Sequence, residues 1–297
     1  MEKIYNLSIV LSFLGLWLNS SIPKNYEIAL GFILIFSFGI LHGSNDILLI
    51  ENISNKKTHY PILKIVVIYV ISVFTAVCIF YFMPLIALIL FIFSSAFHFG
   101  EQHWEHKISN NLKSFNKLYY FFYGLFVLML LFVFNSQEVI DVIKSIANYT
   151  LTKDFIVYSF IITAAILILL SINLIYKSET FKSIYLKELF YLLVFSVVFK
   201  VSTLIWGFTM YFIFWHSIPS LFEQITFIYG SFKKEHVIRY TKKAFPYWLI
   251  SLLGLAIVVF IFKNQQSLYA ILFSFIAALT FPHSIVINKM FLHKNNF

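Results

Sequence analysis

Cysteine occurs once, at Cys78, inside an apolar run. No intramolecular disulfide and no cysteine-based metal site can form. Charge is equally scarce. Asp, Glu, Lys and Arg make up 12% of residues, whereas soluble domains carry about 25%. The deficit points toward a membrane protein. No glycine-rich phosphate loop is present, which argues against a nucleotide-driven transporter. Membrane oxidases with a di-iron site need a set of clustered His-x-x-His or His-x-x-x-His pairs, and the chain lacks such a set. No long linker, low-complexity tract or internal repeat divides the chain, so residues 1–297 read as one domain.

What remains is oil. Hydrophobic residues make up 60% of the chain and aromatics 20%. A helix needs about 20 apolar residues to cross a bilayer. Ten segments qualify, at 5–22, 27–50, 62–82, 85–104, 118–135, 155–176, 184–200, 206–229, 245–262 and 268–291. The first also fits a cleaved signal, because "LNSS" offers small residues after an apolar stretch; it is counted as a span. Met83-Pro84 reads as a tight hinge with proline at a helix start. With the N-terminus inside, seventeen of the 22 basic residues fall on inside segments and five on outside ones. That is the split the positive-inside rule requires. The expectation is an all-α, polytopic integral membrane bundle of about ten transmembrane helices, with both termini cytoplasmic. The formal charge of +9 then faces anionic lipid rather than nucleic acid.

Ionisable groups inside such spans are costly and mark function. His42, His98, His216 and His283 lie in the second, fourth, eighth and tenth spans, all running from outside to inside. Each is about 10 to 15 residues in, or roughly 15–22 Å along the helix at 1.5 Å per residue. Four imidazoles in one slab can form an all-nitrogen site for iron, copper, zinc or nickel. Asp46 follows His42 by four residues on the same face and is a candidate to orient an imidazole. Glu101, three after His98, and Glu223, seven after His216, fit that role or that of interfacial carboxylates. His103 is a further candidate. His59, His106, His236 and His293 fall at span ends or in loops and read as solvated. Pro219 and Pro282 can kink their helices and aim the nearby histidines. Some of the 37 Phe and 18 Tyr can line a tunnel for a long apolar substrate. A competing reading is a metal ion or proton transporter with the histidines as a relay.

The stretches "LHGSNDILLIE", "SSAFHFGEQ", "FWHSIPSLFEQ" and "TFPHSIVINKM" occur in this order across residues 41–290. Together they resemble the Brp/Blh family of bacterial membrane carotene oxygenases. The resemblance implies oxygen-dependent cleavage of the central 15,15′ double bond of β-carotene to two retinals. It implies non-haem iron(II) held by histidines, and a place in the inner (plasma) membrane. Its partners would be β-carotene or a related carotenoid, dioxygen, the lipid bilayer and a microbial rhodopsin receiving retinal. One position departs. The family carries a second histidine four residues after the one matching His216, and here that place is Ser220. Either His283 or His103, or a water, then completes the ligand set, or the chain has a different activity.

Overall fold

In lipid, every backbone N–H and C=O must find its partner within the chain, and long apolar runs satisfy this as helices. The computed structural model describes residues 2–54, 62–108, 113–262 and 268–294. Every regular element among the described residues is helical. His59, Lys56, Lys57 and Lys263 lie outside them. In chain order come α1 (Glu2–Ser21), α2 (Lys24–Leu34), a first π-helical segment (Ile35–Gly39), α3 (Ile40–Gly43) and α4 (Asp46–Ser54). Then come α5 (Ile62–Phe82), α6 (Pro84–Trp104), α7 (Lys113–Phe134), α8 (Ser136–Ala147), α9 (Lys153–Lys177) and α10 (Glu179–Val201). Last are α11 (Leu204–Met210), a second π segment (Tyr211–Ser217), α12 (Ile218–Tyr229), α13 (Lys234–Phe262) and α14 (Leu268–Lys294).

The first π segment joins α2 to α3 and α4 in one broken rod, and the second does the same for α11 and α12. Six helices among the described residues are long and apolar enough to cross a membrane: Glu2–Ser21, Tyr26–Ile53, Pro84–Trp104, Ser114–Phe134, Lys153–Lys177 and Ser274–Lys294.

Local chemistry explains the boundaries. Pro84 opens α6 as its hinge position suggests. Thr152, Ser178 and Thr203 cap α9, α10 and α11 with their hydroxyls. Gly230, in the left-handed region, ends α12. The twelve-residue α8 stands where sequence reading has only a loop. Glu138 of α8 binds Lys24 at 3.1 Å and accepts from the Leu204 N–H at 2.8 Å, tying α8 to the starts of α2 and α11.

The tightest contact joins α6 to α7. A side chain at Gly100 would strike the Tyr120 carbonyl, and one at Gly124 the Ala96 carbonyl. Small residues here let two backbones touch, the usual device for packing helices in lipid. Gly100 therefore serves helix packing, and α6 runs unbroken past it to Trp104.

Candidate metal centre

His42, His98, His216 and His283 are all buried, and each offers a ring nitrogen within 4.8 Å of the other three. Their rings stand edge to face around a shared point. Centroids lie 4.7 Å apart for His42–His283 and His98–His216, 5.1 Å for His98–His283 and 5.2 Å for His42–His216. The two π segments contribute to this placement. One ends three residues before His42, and the other contains His216. Each π turn adds a residue and rotates the downstream part of its rod relative to a plain α-helix, a feature common at functional sites. His98 rides on α6, clamped by α7. His283 rides on α14, just after Pro282 within that helix.

The histidines are unusually short of partners. Neither ring nitrogen of His42, His98 or His216 has a well-formed hydrogen bond, and neither does Nε2 of His283. Buried polar atoms are rarely left so. A metal ion would supply the missing partner. At a metal–imidazole bond of about 2.0–2.1 Å, as for zinc, opposed nitrogens sit about 4.2 Å apart, and the observed 4.8 Å limit needs only a small contraction. The residues therefore fit a bound metal.

The other nitrogen of His283 is occupied. Its Nδ1–H donates to Asp46 Oδ1 at 2.8 Å, and Tyr69 donates to Asp46 Oδ2 at 3.0 Å. This fixes the His283 tautomer and frees Nε2 for a ligand. Asp46 thus orients an imidazole, but the one on α14 and not its chain neighbour His42. Gln102 Nε2 donates to the His216 carbonyl at 2.9 Å. Phe212 stacks on the His216 ring at 5.5 Å, and Phe99 meets it edge-on at 4.7 Å.

The remaining candidates sit elsewhere. His103 Nε2 faces Glu188 Oε2 at 2.6 Å and Lys107 Nζ at 2.9 Å, under the Tyr123 ring. It belongs to a separate buried polar group, because without unwinding at Gly100 it cannot turn toward the point His98 faces. Glu101 accepts from Asn288. Ser220 accepts from Gln224 at 3.0 Å, and Gln224 in turn accepts from Tyr240 at 2.6 Å. Glu223 pairs with His106 at 3.3 Å, and His106 is exposed, as its position suggests. Tyr69, Gln102 and the π segments carried no signal readable in the sequence; Tyr69 is one tyrosine among eighteen.

An apolar cavity of about 530 Å³ opens from the four imidazoles, walled by Phe36, Val70, Phe74, Phe275 and Leu279 among others. Its size lies in the usual range for ligand pockets, about 300–1,000 Å³. It extends along α5 from Val66 to Val77 and along α14 from His283 to Phe275, roughly 12–16 Å at 1.5 Å per residue.

No curated protein and no solved structure matches the chain. A family model does, over residues 33–291, from just before the first π segment to near the end of α14, taking in all four histidines; the chain belongs to the beta-carotene 15,15'-dioxygenase family.

Proposed function

We propose that the protein cleaves the central double bond of β-carotene with dioxygen, giving two molecules of retinal, at one ferrous ion held by His42, His98, His216 and His283. The carrying observation is the convergence of four imidazoles with unsatisfied nitrogens at one end of an apolar cavity. One carbon–carbon double bond is broken and two carbonyls form. Both oxygen atoms of dioxygen end in product, so no further reductant is needed. Bound iron supplies the oxygen chemistry, which the protein's own side chains cannot.

The chain does the rest. Asp46 holds the proton on His283 Nδ1 so that Nε2 remains a donor atom to metal. The cavity wall binds the polyene through its apolar faces and sets its position against the imidazoles. Phe99 and Phe212 shield His216 and keep water from the reacting bond. No residue needs to act as acid or base.

The same reading places the chain in the inner membrane with ten crossings. The crossings beyond the six long apolar helices are α5, α10, the α11–α12 rod and α13. Both termini are cytoplasmic, as the division of basic residues supports. A microbial rhodopsin is a natural recipient of the product.

Expression in a β-carotene-producing bacterium tests the reaction. Aerated cells should lose their orange colour and accumulate retinal. Equal bleaching without oxygen would contradict it.

A further inference from the structure

Gly254 has no local reason to be glycine. It lies within α13, and among the described glycines only Gly230 has a positive φ. A side chain there would meet nothing within 4 Å. Elsewhere in the bundle, at 15, 31, 39, 100, 124 and 207, an added Cβ would lie within 3.1 Å of a neighbouring atom, so close packing accounts for those glycines, and at Gly43 it would meet the His283 ring at 3.6 Å. A glycine inside a helix costs stability relative to alanine. What adjoins Gly254 is the cavity. Tyr247, Ile250, Ser251 and Gly254 form one face of α13 along its wall.

That wall is also the edge of an opening. Val70 and Phe74 of α5 and Ile250 of α13 line the cavity, yet they are 58%, 67% and 65% exposed. In a bilayer this surface meets lipid, not water. Among the described residues α5 and α13 hardly touch each other, although both flank the cavity. The cavity therefore has a side mouth at membrane depth, with the four imidazoles at its inner end.

We propose that the gap between α5 and α13 is a lateral portal that takes a ring-ended polyene directly from the bilayer, and that Gly254 sets the width admitted. This rests on the reaction proposed above. The site dictates the occupant. The mouth opens to hydrocarbon, the wall is almost wholly apolar, and the polar cluster at its inner end suits a metal. A rigid chain can enter with one half still among the lipids. The bulk of its terminal ring then makes clearance at Gly254 decisive.

The test uses the iron-loaded protein in lipid nanodiscs. Cys78, which does not line the cavity, is replaced by alanine, and Gly254→Cys is introduced. The folded sample is treated with apolar thiol reagents of increasing size, and β-carotene cleavage and bound iron are read before and after. The portal predicts reaction of the thiol and a loss of rate that grows with reagent volume, at least tenfold for an aromatic group, with iron retained. Gly254→Phe should show the same loss with iron in place. A thiol that does not react, full modification without loss of rate, or iron lost in step with rate would each overturn the proposal. If the unsubstituted protein cleaves no carotenoid, it is the reaction above that fails.

Discussion

Each of the four central imidazoles offers a nitrogen that the protein leaves without a hydrogen bond. Alanine at His42, His98, His216 or His283 should reduce bound iron at least tenfold and abolish retinal formation. His103→Ala should keep its iron, because that ring is engaged by Glu188 and Lys107. Its cost should be about 1–3 kcal/mol of stability from leaving those buried groups underpaired. Metal analysis and thermal unfolding of the five variants separate these outcomes. Asp46→Ala should weaken iron binding by roughly 10–100-fold without removing a ligand, the usual effect of losing the group that orients a metal-bound imidazole; titration against a chelator measures it. The four histidines were legible because each interrupts an apolar span at a similar depth. Asp46 was legible as an orienting group, but its partner was not. Helical spacing points it at His42, whereas its carboxylate reaches across to His283 on a helix 237 positions away in sequence. The place of Ser220 was readable only as a departure from a pattern. Its bond to Gln224 is an i, i+4 contact that helical spacing makes available, whereas the Tyr240 hydroxyl that holds Gln224 comes from α13 and leaves no mark on the local sequence.

The π segments are the element-scale device. Deleting Phe214 should restore an ordinary α-helix through Tyr211–Ser217 and turn the flanking residues by about 100° relative to one another. His216 would then leave the cluster. Circular dichroism should show unchanged helix while metal analysis shows iron lost; retained iron would mean the extra residue is dispensable. The ten apolar segments were legible from length alone, and each coincides with a helical rod. The π turns were not, since an extra residue per turn leaves no mark on hydropathy. α8 escaped because twelve residues cannot span a bilayer, yet its signal was present. Val139, Val142, Ile143 and Ile146 recur at helical spacing and line a small cavity against α6 and α7.

At the scale of the whole molecule, the proposed orientation rests on the basic residues, and the wall of the cavity on the packing of neighbouring rods. A reporter active only in the cytoplasm should work after Ser231, in the turn before α13, and fail after Lys263. The reverse result would invert the topology. The proposed membrane setting would account for the apolar surface left uncovered, including Trp17, Phe82 and Leu169. It would also let the proposed substrate, insoluble in water, reach a buried site. The central claim joins four imidazoles, one iron and a symmetric cut. Its most direct measurement is a single reaction of purified protein in nanodiscs, loaded anaerobically with ferrous iron, given β-carotene and then air, with products counted by chromatography. The account predicts two retinals per β-carotene consumed, with none formed when either iron or air is withheld. Unequal aldehydes, or retinal formed without iron, would contradict it.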